Sequence, residues 1–157
     1  MQNPIRSLLK IPVPWVFVIT YLIGAGLQLL FPFYTFSSKI TTIIEITGAV
    51  IFIIGAAIAA WSLIIFHSQH TTTTPGEKSA RLVTWGPYKY SRNPMYVSLT
   101  IAYLGEAGIL IQFWPIAVLP LVLIYVNRII IPLEESRLKE AFGSEYGKYS
   151  FKVPRWF

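Results

Sequence analysis

Apolar and polar positions fall into long separate blocks along this chain, with no strand-like alternation. Three stretches contain no Asp, Glu, Lys or Arg: Ile11–Ser38 with 28 residues, Ile46–Gly76 with 31, and Ala107–Asn127 with 21. About 20 apolar residues cross the hydrocarbon layer of a bilayer, so each block is long enough for one helical crossing. They predict helices near Val13–Leu30, Ile40–Phe66 and Trp114–Ile131. Met95–Ile111 is shorter and holds Glu106, but its flanks and apolar density predict another helix. Phe113–Pro115 is then short enough to be only a turn, so the last two helices form a hairpin. The expected fold is an all-α integral membrane protein with about four transmembrane helices, or three if Met95–Ile111 is re-entrant. It is read as a single membrane-embedded unit over 1–157, with two N-terminal helices in 1–66 and a core in 67–157.

Composition supports this reading. The chain is 54% hydrophobic and only 13% charged, about half the charged fraction of a soluble domain. There is no Cys, which excludes disulfides, thiolate nucleophiles and Cys-based metal sites. All seven acids are Glu, so Asp-containing triads and ordinary EF-hand loops are excluded too. Arg6 and Lys10 precede the first apolar run as they would in a signal peptide. That run is longer than a typical h-region and lacks an A-x-A-like cleavage site, so it is expected to be a retained first helix.

The basic residues give an orientation. Arg6 and Lys10, then Lys78, Arg81, Lys89 and Arg92, then Arg137, Lys139, Lys148, Lys152 and Arg155 share one face of a four-helix arrangement. Lys39 alone lies opposite, and Arg128 lies in the last turns of the fourth helix. The positive-inside rule puts both termini and the long loop in the cytoplasm, as expected in the inner or plasma membrane of a prokaryote. A basic face beside anionic lipid accounts for the net charge of +6 without nucleic acid.

Most of the polar chemistry lies in two cytoplasmic segments. His67–Pro94 is a 28-residue loop containing a Thr71–Thr74 run and a Pro75-Gly76 turn. The C-terminal segment opens with Pro132, which suits a first helical turn, and with Glu134 and Glu135, which complement the helix dipole. Leu133, Leu138, Ala141 and Phe142 predict an amphipathic helix on the inner leaflet, with Gly143 as its stop. His67 and His70 have i, i+3 spacing but no evident third ligand, so no metal site is expected. Gly24-Ala25-Gly26 and Gly105-Glu106-Ala107-Gly108 lack phosphate-loop spacing and read as sites of close helix packing. Glu45 is expected at the outer end of its helix. Glu106 is expected deeper, either as a functional carboxylate or as a neutral one bonded to a neighbouring helix.

Read together, the loop and tail form an ordered series. Leu82-Val83-Thr84-x-Gly86-Pro87-Tyr88-x-Tyr90-Ser91-Arg92-Asn93-Pro94-Met95-Tyr96 comes first, then Glu134-Glu135. Phe142-Gly143-x-Glu145-Tyr146-x-x-Tyr149 and Val153-Pro154-Arg155 follow. The series resembles the membrane-embedded methyltransferases of the isoprenylcysteine carboxyl methyltransferase and phospholipid methyltransferase group, over roughly Thr71–Trp156. The resemblance implies an S-adenosylmethionine-dependent methyltransferase whose cofactor pocket is formed by the cytoplasmic loop and the C-terminal helix. S-Adenosylhomocysteine would be its product.

By the same resemblance, the cofactor-binding positions are Ala80, Arg81, Leu82, Val83, Tyr88, Asn93, Pro94, Met95, Tyr96 and Glu134. The family's H-x-L-V element falls on Ala80–Val83, without its His, and its R-H-P-x-Y motif falls on Arg92–Tyr96, with Asn93 for His. The Gly that follows in the family is Ser98 here. Prenylcysteine members carry a substrate-carboxylate Arg four residues before the Glu; here that position is Ile130, and Arg128 is the nearest basic side chain. Arg128 is therefore the candidate to hold the acceptor, and no catalytic base is named.

The residue types suit this chemistry. A carboxylate can accept from an ammonium or a ribose, aromatic faces attract a sulfonium, and Asn93 can both donate and accept at an adenine edge. The acceptor is lipophilic: an isoprenylcysteine-like carboxylate, a phospholipid amine or a small thiol. A membrane reductase using NADPH in a related architecture remains open, as does a non-enzymatic membrane subunit. Monomer and homodimer are both compatible with the sequence.

Overall fold

A computed structural model describes residues 12–32, 36–68 and 82–157, and every regular element among them is helical. These are α1 (Val13–Leu30), α2 (Ser38–Ser68), a 3₁₀ turn (Gly86–Lys89), α3 (Pro94–Ile109), α4 (Phe113–Tyr125), a π turn (Val126–Ile130) and α5 (Ile131–Lys152). The expected positions of all four apolar helices are met. Among the described residues, three helices are long and apolar enough to cross a membrane: α1, Ser38–Ile65 of α2, and the run beginning at Phe113. α3 has only 16 residues, about 24 Å at 1.5 Å per residue, against a hydrocarbon layer of about 30 Å. By length and composition, then, the count is three with a shorter fourth helix.

The bundle presents its largest apolar side chains outward. On α1, Val13, Phe17, Tyr21, Gly24 and Gln28 are buried at helical spacing, while Trp15, Leu22, Ile23, Leu29 and Leu30 are exposed. In water so large an apolar surface would aggregate; against acyl chains it is the expected exterior. The buried face of α1 joins Tyr103 and Ala107 of α3, Leu119 and Val122 of α4, and Val126, Ile130 and Ile131 beyond it in one cluster.

α2 and α3 run antiparallel in backbone contact. Gly48, Gly55 and Ser62, spaced seven apart, are buried on one face of α2. A Cβ on Gly55 would lie 2.6 Å from the Ala102 nitrogen, and one on Gly48 would lie 2.8 Å from the Gly105 carbonyl. Gly105 and Gly108 meet Gly48 in return, as expected of small residues that let helices approach in lipid. Gly24 likewise lies under Pro115 of α4, whereas Gly26 faces open space.

The reversal between α3 and α4 comes one step earlier than expected. Leu110–Gln112 make the turn, with Ile111 at φ 50°, and Phe113–Pro115 form the first turn of α4. That turn is capped from another helix: the Gln28 Oε1 of α1 accepts the Phe113 and Trp114 N–H groups at 3.1 and 3.3 Å. Tyr21 of α1 donates to Gln112 Oε1, and Tyr103 donates to the Pro115 carbonyl at 2.9 Å. Glu106 is exposed in the last turn of α3, near the Leu110–Gln112 reversal.

Helicity continues from Phe113 to Lys152 through the π turn. Pro132 has no N–H to give the Arg128 carbonyl, and the wider π turn just before it removes the clash a proline causes in an α-helix. From Glu134 onward the helix carries Glu135, Arg137, Lys139 and Glu140 within two turns, so that part lies outside the hydrocarbon. α5 kinks at Gly143, where φ is 49°, a conformation open to glycine and strained for other residues.

Candidate active site

The start of α3 and the start of α5 converge at one end of the bundle, and the chain folds its C-terminus back over them. Gly86, at φ 63°, opens the 3₁₀ turn that brings Tyr88 inward. Val83 and Tyr88 pack on Ile65 near the end of α2. Leu82 packs instead against Tyr146, Tyr149 and Val153 of the far C-terminus. Tyr149 donates to the Tyr88 carbonyl at 2.8 Å, fixing that turn from the opposite side.

At the centre, the Tyr96 hydroxyl donates to Glu134 Oε1 at 2.6 Å. This short bond to a carboxylate belongs to the strong, charge-assisted kind. Burial pushes the Glu134 carboxyl above its usual range, against the opposing pull of the Tyr96 hydrogen bond and of Arg137. Tyr88 is close enough for the Glu134 charge to act on it, and burial chiefly holds its phenol well above the ordinary value. A half-buried carboxylate and two tyrosines thus share one cluster.

Glu135, the neighbouring carboxylate, is differently engaged. Its Oε1 takes Arg92 Nη1 at 2.9 Å and Arg155 Nε at 3.0 Å, and its Oε2 takes Arg155 Nη2 at 2.6 Å. Arg92 Nη1 also donates to the Tyr146 hydroxyl at 3.1 Å. The hydrogen bonds from Arg155 to Glu135 hold its guanidinium above its ordinary value.

The other expected positions divide. Pro94 and Met95 form the first turn of α3, Pro94 buried and Met95 half-buried. The Asn93 amide points to the returning tail, with Nδ2 donating to the Arg155 carbonyl at 3.0 Å. Arg128 is exposed on the π turn. Ala80 and Arg81 lie outside the described residues, as do His70 and the side chain of His67. The sequence reading passed over Glu135, Tyr146, Arg155 and Asn127 as site residues. Only the adjacency of two Glu, and the Pro154-Arg155 pair after a long helix, signalled them. An open groove lined by Gln28, Phe36, Thr41 and Gln112 lies at the other end of the bundle and shares no residue with this cluster.

Together these features define a class: an all-helical integral membrane protein with a polar, carboxylate-centred site at one end of its bundle. The phospholipid methyltransferase family model matches residues 43–145, about two thirds of the chain, and the protein belongs to that family of membrane methyltransferases. No curated protein and no solved structure matches it.

Proposed function

We propose that the protein transfers a methyl group from S-adenosylmethionine to the amine of a membrane lipid at the cytoplasmic face. One observation carries this reading: the site offers its ligand a half-buried carboxylate, Glu134, held by the Tyr96 hydroxyl and by no ion pair among the described residues, while Arg92 and Arg155 are both taken up by Glu135. A sulfonium and an ammonium suit that field. The phosphates of NADPH do not, which argues against a reductase. An acceptor carboxylate fits poorly for the same reason, which favours an amine over a prenylcysteine acid.

S-Adenosylmethionine would supply an activated methyl group. Glu134 would accept from its ammonium or ribose, and the faces of Tyr88 and Tyr96 would lie toward the cation. Asn93, held by the Arg155 carbonyl, keeps its own amide oxygen for the adenine edge. Leu82, Val83, Pro94 and Met95 would supply apolar contacts, and Ala80 and Arg81 directly precede Leu82 in the sequence.

With the donor bound, an amine that had already lost its proton to solvent would accept the methyl group in line, the N–C bond forming as the S–C bond breaks. The protein contributes alignment and exclusion of water. Helices in 1–66 support the core formed by 67–157, and the basic face is cytoplasmic. Exposed Arg128 suits the phosphate of the lipid headgroup.

The test is transfer of labelled methyl from S-adenosylmethionine to vesicles of phosphatidylethanolamine, with a prenylcysteine acid in parallel. We expect label in the ethanolamine lipid, and an Arg128→Ala protein whose KM for lipid rises about tenfold while binding of S-adenosylhomocysteine is unchanged. Label only in the acid would refute the amine acceptor, and an unaltered KM would refute the role of Arg128.

A further inference from the structure

We propose that Glu135 is a positioning residue: it fastens the C-terminal strap Val153–Trp156 across the start of α3 and thereby fixes Asn93, Tyr96 and Glu134. The inference rests on the reading of Glu134 as the anchor of the methyl donor, and assigns its neighbour a different task. Beyond Lys152 the chain leaves its helix, yet it is held at each step. The Arg92 N–H donates to the Pro154 carbonyl at 2.9 Å. Ser91 Oγ and Asn93 Nδ2 both donate to the Arg155 carbonyl at 3.0 Å. Trp156 Nε1 donates to Asn127 Oδ1 on the π turn at 3.1 Å, and Val153 is buried.

The strap holds the very residues from which α3 begins. Asn93 is the residue before its first turn, and its carbonyl accepts the N–H groups of Tyr96 and Val97. Tyr96 in turn holds Glu134. Strap, Asn93, Tyr96 and Glu134 therefore form a continuous chain of bonds. Its charged clasp is the Glu135 carboxylate, shared between Arg92 at the strap's landing site and Arg155 within the strap.

With both oxygens engaged by guanidinium groups, Glu135 is neutralised. It has no lone charge to offer a cationic ligand. Glu135 side-chain exposure is 19% and that of Arg155 is 38%, so the clasp is partly shielded yet accessible enough to be opened by substitution.

The test uses the full chain in lipid nanodiscs, with two readings on each variant: affinity for S-adenosylhomocysteine by calorimetry, and hydrogen exchange of the strap by mass spectrometry. Glu135→Gln is expected to weaken binding about tenfold and to raise strap exchange at least tenfold. Arg155→Lys, which keeps the charge but not the bidentate fork, should weaken both less than Arg155→Gln, and Glu135→Gln combined with Arg155→Gln should be no worse than Glu135→Gln alone. Abolished binding with an unchanged strap would make Glu135 a direct ligand and overturn the proposal. A loosened strap with unchanged affinity would overturn it as well.

If Glu135→Gln does not fold, Arg155→Lys and Arg155→Gln, made at the more exposed partner, carry the same comparison. Failure of the underlying reading looks different. The unsubstituted protein would then bind no S-adenosylhomocysteine, and Glu135 would lose its role toward that ligand, while strap exchange would still report whether the clasp exists.

Discussion

Replacing Gly55 by leucine should separate α2 from α3 and lower the midpoint of thermal unfolding in detergent by about 10 °C or more. A Cβ at this position would lie 2.6 Å from the Ala102 nitrogen and 3.0 Å from both the Ala102 Cα and the Ser98 carbonyl. Those are backbone atoms, so no side chain can swing away and the helices themselves must part. Overpacking a core with extra methylenes costs about 1–3 kcal/mol even when side chains can adjust, and here they cannot. At about 2–4 °C per kcal/mol for a chain of this size, the shift should be large. Gly26→Leu is the matched control, because a Cβ there meets nothing within 4 Å. Equal midpoints for the two variants would show that the small-residue face of α2 does not hold the bundle together.

The second large effect is expected at Glu134. Glu134→Gln keeps the shape of the side chain and its bond to Tyr96 but removes the charge, and turnover should fall at least a hundredfold. The magnitude follows from truncating one partner of a buried charge pair, which costs several kcal/mol once the ligand's cation is left without a counter-charge.

A pH dependence follows with a definite sign. Burial raises the Glu134 pKa above its unfolded value, so the stability this group contributes to the ligand-free protein is fully present below the unfolded pKa. That stability is lost as pH rises through the raised value. Binding of a cation runs the other way: it needs the carboxylate, so affinity should decline on acidification sooner than for an exposed Glu. The Glu134→Gln protein should lose this pH dependence along with its activity. If turnover and its acid limb survive the substitution, Glu134 is not the anchor.

Much of this was legible in the residues, for identifiable reasons. Charge-free blocks located the helices because a bilayer forbids unpaired charge over 20 residues. The Gly143 break in α5 followed from the need for a positive φ. The reversal between α3 and α4 lies at Leu110–Gln112, one step before the expected Phe113–Pro115, because α4 already begins at Phe113. What caps that helix start is Gln28, 85 positions earlier, and no local pattern displays such a partner. Gly48 and Gly55 escaped notice because a seven-residue spacing is diffuse beside Gly-x-x-Gly. The family resemblance put Tyr96 and Glu134 among the cofactor-binding positions but not their hydrogen bond, and the clasp from Arg92 and Arg155 to Glu135 spans too much of the chain for any spacing rule.

The central claim is that the carboxylate-centred end of the bundle holds a sulfonium-bearing methyl donor, and calorimetric titration of the purified protein tests it most directly. S-Adenosylhomocysteine should bind saturably to the unsubstituted protein and not to Glu134→Ala, with NADPH giving no heat in either. Tight NADPH binding, or no binding of either ligand by well-folded protein, would contradict the account.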